Sequence, residues 1–372
     1  MKLDFQHATN NIINDTLISE LKSAETVIIW GAGLSGQYVY DILCDYNIEV
    51  ICFVDMSKYK QGTKLFGKMV YSFEDAIKKY SHPFIVIASM WYEEIKEYIE
   101  KYSEEGLCRF CNGLSTMNWE TVNKKRISDE PEYISKNIEY FEWLSGELCD
   151  YESRQTLENL LNYRLTRNID YLSQIKSNER IYVDKTIITD KIRNKIGNRA
   201  IIDAGAFDGD TIPTLSECFS ARNRYYCYEI SDDCIRRLKQ KKEIIFNDLE
   251  ISVIQKALWS KSNIKLGING EELSGRVGEG DRSIESITID DSNLDPLGFV
   301  KMDIEGAERE ALEGGQNTIQ RDKPVLAICS YHLQDDLIEL PRIIKSINDE
   351  YRFYLRHYML SSGDTILYAI PD

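Results

Sequence analysis

In IIDAGAFDGDT, residues 201–211, an apolar run ends on Asp203 and passes at once into a loop with glycines at 205 and 209. A short β-branched run that breaks on glycine reads as a buried strand turning sharply at its carboxyl end. Without a Cβ, Gly205 and Gly209 let the backbone turn tightly and come close to a ligand. Loops of this kind often cradle phosphate. This one also carries Asp208 and Asp210, and that charge suits a cationic sulfonium and a free amino group better than a pyrophosphate. The next apolar run, YYCYEI at 225–230, brings Glu229 to its end, 20 residues after Gly209. At that offset an acidic side chain accepts hydrogen bonds from ribose hydroxyls. Acidic strand ends in an ordinary α/β protein would explain each residue separately, but not the loop, its acids and the spacing together.

Outward from this stretch the pattern of strands continues. ISVIQKAL (251–258), FVKMDI (299–304), PVLAIC (324–329), FYLRHYM (353–359) and TILYAI (365–370) are strand candidates. The last two are joined by SSGD, too short for a helix, so they pair as an antiparallel hairpin. Residues 181–372 thus read as one α/β unit with a mostly parallel sheet. Residues 116–180 instead carry apolar residues at three- and four-residue spacing and read as a connector of amphipathic helices. Residues 1–115 alternate strands and helices: VIIW (27–30), VICFVD (50–55) and FIVIAS (84–89) give three parallel strands, a small Rossmann-like unit. NGEELSGRVGEGDRS, within 260–286, reads as a mobile loop in which Arg276 and Arg282 are placed to meet an anionic group, or simply as a solvated loop.

Composition excludes some classes. The 372 residues are 43% hydrophobic and carry a net charge of −16, from 61 acidic and 45 basic residues. That balance opposes a nucleic-acid binder, which needs a basic face. No apolar run approaches the roughly 18–20 residues needed to cross a bilayer. The amino terminus lacks the basic and apolar regions of a signal peptide, and a cytoplasmic location is expected. Cys108 and Cys111 form the only close cysteine pair, read as two half-buried thiols rather than a metal or redox site.

At IIDAGAFDGDT, FVKMDIEGAEREALEGG (299–315) and PVLAICSYH (324–332) the chain resembles the FkbM family of methyltransferases, over most of 181–372. A parallel sheet ending in a hairpin is also the layout of class I methyltransferases. The resemblance implies S-adenosylmethionine-dependent O-methylation of a sugar, a nucleotide-activated sugar or another hydroxylated intermediate, as in capsule or lipopolysaccharide synthesis. It implies that Asp203, Gly205, Ala206, Phe207 and Asp208, Gly209, Asp210, Thr211 surround the methionine part. Glu229 and Ile230 would hold the ribose, and Gln255, Lys256 and Ala257 would border the adenine.

Methyl transfer to a hydroxyl needs alignment, exclusion of water and a base for the departing proton. Asp303 and Glu305 fall at the carboxyl end of a strand, where open parallel sheets bind ligands. His332 follows the neighbouring strand and has the most suitable ordinary pKa. The three are taken as a set, and Lys301 as a group that orients a carboxylate or an anionic substrate. Other readings stand beside these: Asp303 or Glu305 as a helix cap, His332 as a structural histidine, or the two carboxylates and the histidine as ligands of Mg²⁺.

GAGLSG (31–36) has the G-x-G-x-x-G form between strand and helix, with Asp55 at the end of the next strand. Three strands are only half a dinucleotide fold. The following segment is similar to the sugar-nucleotide domains of glycan-modifying enzymes. A structural, dimerising or substrate-presenting unit, a sugar-nucleotide site and an NAD site are the readings, in that order. With the last, the whole chain would be an NAD-dependent sugar-modifying oxidoreductase.

Overall fold

The computed structural model describes residues 1–89, 91–102, 107–113, 129–220, 222–269, 276–277 and 282–372. The first sheet contains β1 (Val27–Trp30), β2 (Val50–Val54), β3 (Lys64–Leu65), β4 (Lys68–Tyr71), β5 (Phe84–Ile87) and β6 (Arg109–Asn112), in the order β3-β4-β2-β1-β5-β6. All neighbours are parallel except the β3–β4 hairpin. Three strands were expected here. VIIW, VICFV and FIVI do form the buried middle, and three short, more exposed strands widen it. Such short segments show too little alternation to stand out in the sequence.

The second sheet begins with β7 (Ala200–Ala204), β8 (Arg224–Tyr228) and β9 (Glu250–Ile254). The chain then leaves it for β10 (Ala257–Leu258), β11 (Lys265–Asn269), β12 (Arg276–Val277) and β13 (Arg282–Ile287), a separate sheet ordered β10-β13-β11-β12. It returns for β14 (Leu297–Met302), β15 (Val325–Cys329), β16 (Tyr351–His357) and β17 (Thr365–Pro371). The order is β16-β17-β15-β14-β7-β8-β9, parallel except that β17 runs against both its neighbours. The expected hairpin is therefore present. In the stretch 260–286, expected to hold a loop, the described residues are largely strands. Residues 270–275 and 278–281 of it lie outside the described residues, as do the side chain of Arg276, the 115/116 boundary and the start of the connector.

The helices Glu130–Lys136, Ile138–Glu147 and Tyr151–Thr166 pack onto the second sheet. Phe141, Leu144, Leu157 and Leu161 share one core with Val300, Leu326, Phe353 and Leu367. A buried pair locks them, with Arg164 donating to both carboxylate oxygens of Glu130 at 2.6 and 2.9 Å. The first residues of the chain reach back to the same helices, the Thr9 amide donating to the Leu165 carbonyl at 2.9 Å. Cys108 and Cys111 are half-buried, as expected. Among the described residues no helix is long and apolar enough to cross a membrane.

Candidate active site

Where β7 and β14 end side by side, their loops open a crevice of ≈ 530 Å³ at the carboxyl edge of the second sheet, within the usual size of small-molecule sites. Gly205 makes the junction possible. It has φ +72°, and a Cβ there would lie 1.7 Å from the Asp303 carbonyl oxygen. A Gly205→Ala variant should lose on the order of 3 kcal/mol of stability, read as a fall in Tm. Unchanged stability would mean that the two loops are free to separate.

One wall is the glycine loop. Phe207, Asp210 and Thr211 line the crevice, together with Glu229, Ile230 and Lys256–Ala257. Glu229 is held by three backbone donors: Phe207 to one oxygen at 2.9 Å, Ile230 and Ser231 to the other at 2.7 and 2.8 Å. Four predicted positions lie elsewhere. Asp208 turns outward to Lys241 at 2.8 Å and Arg237 at 3.8 Å, so its charge is spent on the helix Asp232–Ile244 and not on the crevice. Gln255 is exposed and donates to Asp232 at 2.5 Å. Ala206 and Gly209 face the core beneath the loop, the former fully buried and the latter against Leu238.

Asp203 and Lys301 form the floor. Both are buried (0 and 2% exposed), with Lys301 Nζ 3.0 Å from Asp203 Oδ1. The same ammonium donates to the carbonyls of Ala204 and Gly205 at 3.2 and 2.6 Å. Burial raises the pKa of Asp203 and the Lys301 charge only partly offsets it. Lys301 therefore fastens the glycine loop and does not reach out to a substrate.

The opposite wall carries the titratable cluster. Asp303 accepts from Tyr182 at 2.8 Å and from Tyr331 at 3.4 Å. His332 sits behind it, 5% exposed, with Nε2 3.3 Å from Asp303 and 3.9 Å from Glu305, and Nδ1 2.9 Å from Glu308. Burial opposes the imidazolium, but the charge of Glu308 and the bonds to Asp303 and Glu308 outweigh it, holding the His332 pKa well above its ordinary value. Burial likewise raises Asp303, yet the His332 bond, the Lys301 charge and the Tyr182 hydroxyl leave it well below the usual carboxylate range. The contacts of His332 thus favour the imidazolium over the neutral imidazole that a base would need.

The cap readings fail as well. The helix Glu308–Glu313 starts at Ala307 without a side-chain cap, and Glu308 reaches back to accept from the Ile304 amide at 2.9 Å. Ligand atoms of Asp303, Glu308 and His332 lie within 4.8 Å of one another. Mg²⁺ takes about six oxygen ligands, several of them water. These three offer one nitrogen and two carboxylates, with Glu308 and His332 buried and bound to each other at 2.9 Å, a poor match to that all-oxygen, water-rich coordination.

A group missed in the sequence completes the wall. Asp364, half-buried in the β16–β17 turn, lines the crevice; its carbonyl accepts from the Tyr358 amide at 3.1 Å, while its carboxylate makes no hydrogen bond or ion pair among the described residues. Burial, and after it the charge of Asp303, push its pKa up to about 6. Tyr182, Tyr331 and Glu308 were missed too. Tyr182, Phe207, Glu305 and Asp364 all hold left-handed backbone, with φ +67°, +46°, +58° and +51°. Each such residue costs on the order of 1–3 kcal/mol, and such strain gathers at functional sites.

Part of this site, Glu229 and the ends of β14 and β15, falls within a family match. Residues 224–358 match the family model of the methyltransferase FkbM domain. Residues 23–106 match the model of the C2185-like N-terminal domain. No curated protein matches the chain. The solved structure of a methyltransferase FkbM from Methylobacillus flagellatus is 23% identical, with a TM-score of 0.69 over 97% of this chain and 94% of that one. The two share their fold along nearly their whole lengths. A putative rRNA-methylase from Clostridium thermocellum is 10% identical over 55% of this chain and 93% of its own, at a TM-score of 0.32. A SAM-dependent methyltransferase from Aquifex aeolicus is 12% identical over 54% and 97%, at 0.29. The crevice brings together Gly205, Phe207, Asp210, Thr211, Glu229, Ile230, Lys256, Ala257, Lys301, Asp303 and Glu305, with Asp203 beneath Lys301 and His332 behind Asp303.

Proposed function

We propose that the chain is an S-adenosylmethionine-dependent O-methyltransferase acting on a hydroxyl of a sugar or nucleotide-activated sugar, in the synthesis of a surface polysaccharide such as capsule or lipopolysaccharide. The observation that carries the reading is Glu229. Its carboxylate is fixed by three amides at the crevice wall, forms no ion pair among the described residues, and keeps lone pairs for a pair of ribose hydroxyls. The crevice also fits a cationic ligand, because Asp210, Glu229, Asp303, Glu305 and Asp364 line it against Lys256, Arg282 and the buried Lys301. Bound there, S-adenosylmethionine supplies an electrophilic methyl group.

The rest falls to this chain's own side chains. Gly205, Asp210 and Thr211 would border the methionine part, and Lys256, Ala257, Leu258 and Ile268 the base. Asp364 is the base in this reading. Its pKa is pushed up to about 6, whereas Asp303 is held well below the usual carboxylate range and the carboxylates around His332 favour its protonated form. The Tyr182 and Tyr331 hydroxyls, both raised in pKa by burial, stay protonated and orient Asp303.

Calorimetric titration of the purified protein with S-adenosylmethionine and S-adenosylhomocysteine tests this. Binding in the micromolar range, about −8 kcal/mol, and its loss in Glu229→Ala are expected. Silence toward both compounds would sink the proposal.

A further inference from the structure

The glycine loop of the first sheet has a crevice of its own, and nothing above employs it. It measures ≈ 580 Å³ and lies at the carboxyl edge, between the ends of β1, β2 and β5. There β2 follows β1 on one side, while the chain returns from β4 to place β5 on the other, the switch point at which open α/β sheets bind ligands. Gly31, with φ +123°, permits the approach, since a Cβ there would stand 2.6 Å from the Ala88 carbonyl oxygen.

Its frame repeats that of the methyltransferase crevice. Asp55 accepts the Ala32 amide of the glycine loop on one oxygen at 2.8 Å, and the amide two residues on, of Ser57, on the other at 2.8 Å. Glu229 does the same with Phe207 and Ser231. The wall is less acidic, with Asp55 and Glu94 against Lys60. GAGLSG contains no acid. Asp55 is met by Lys60 at 3.0 Å, whose ammonium stands 3.7 Å from where a Cβ of Gly33 would be. That half-exposed ammonium (44%) therefore sits at the start of the helix Leu34–Asp45, which has no side-chain cap. The one further acid on the wall is Glu94. Across the opening Trp91 is 65% exposed, beside Leu34 at 68% and Met56 at 57%. Three large apolar groups left open around one cavity, with an aromatic face among them, call for a planar ligand.

We propose that this crevice binds a nucleoside diphosphate, its phosphates at Lys60 and the glycine loop and its base against Trp91. The group belongs either to a nucleotide-linked metabolite or to a dinucleotide. The test uses the full chain saturated with S-adenosylhomocysteine and titrated with UDP, ADP and NAD⁺. At least one is expected to bind. Lys60→Gln should weaken it about tenfold by loss of a charge-assisted contact, and Trp91→Ala about tenfold by loss of stacking. Both variants should bind S-adenosylhomocysteine as the wild type does. Tighter UDP or ADP than NAD⁺ assigns the nucleotide-linked source; tighter NAD⁺ assigns the dinucleotide. No binding of any of the three at millimolar concentration, or either variant binding as the wild type does, overturns the proposal.

Discussion

Asp364→Asn is expected to lower kcat about 10²- to 10⁴-fold, the usual contribution of a positioned general base, with affinity for S-adenosylmethionine nearly unchanged. The expectation follows from charge placement. Five carboxylates line the crevice, and two of them are committed. Glu229 is bound by three amides, and Asp303 is held ionised by His332, Lys301 and Tyr182. A carboxylate so stabilised gains little from taking a proton. Asp364 has no such partners, and its pKa of about 6 lies near the working range. With the acceptor that the wild type methylates, kcat should rise with pH to a plateau, with a midpoint about pH 6. That rise should persist in Asp303→Asn and vanish in Asp364→Asn. An Asp364→Asn enzyme with wild-type kcat removes Asp364 from the chemistry.

Why Asp364 was hidden in the sequence is physical. SSGD reads correctly as a tight turn, and nothing local says that the return of β17 between β15 and β16 hangs this turn over the ends of β14 and β15. Asp303 was legible because its strand and the sheet edge follow from FVKMDI itself. Its state was not, because the Tyr182 donor arrives from a segment far away in the chain. Asp208 errs the other way. It looks like part of the acidic loop until the helix Asp232–Ile244 brings Arg237 and Lys241 beside it. The strands between 257 and 287 were obscured by glycine and charge, which read as loop although cross-strand pairing overrides that composition. Periodicity and spacing thus disclose sheet order at the strand ends, whereas protonation and charge pairing depend on contacts across the chain.

Lys301→Met should cost about 4 kcal/mol at pH 7. Lys301 and Asp203 are enclosed together, 2 and 0% exposed, and removing one member of such a pair leaves a buried charge without compensation, typically 3–5 kcal/mol. An independent bound agrees. Asp203 can escape by taking a proton, and moving a carboxyl from its ordinary 3.8 to neutral pH costs about 4.4 kcal/mol at 1.36 per pH unit. The sign of the pH dependence follows. In the variant, the folded state raises the Asp203 pKa above the unfolded value, so folding takes up a proton. The deficit is therefore greatest at neutral pH and shrinks as pH falls toward 4. Denaturant unfolding of Lys301→Met at pH 7 and pH 4.5 measures it. Adding Asp203→Asn to Lys301→Met should restore much of the loss, because no charge is then left buried. The double variant should nonetheless bind S-adenosylmethionine more weakly than the wild type, because no ammonium remains to hold the Ala204 and Gly205 carbonyls. A loss below about 1 kcal/mol in Lys301→Met, the worth of an exposed pair, or a double variant no more stable than the single one, would show that this pair does not fasten the glycine loop.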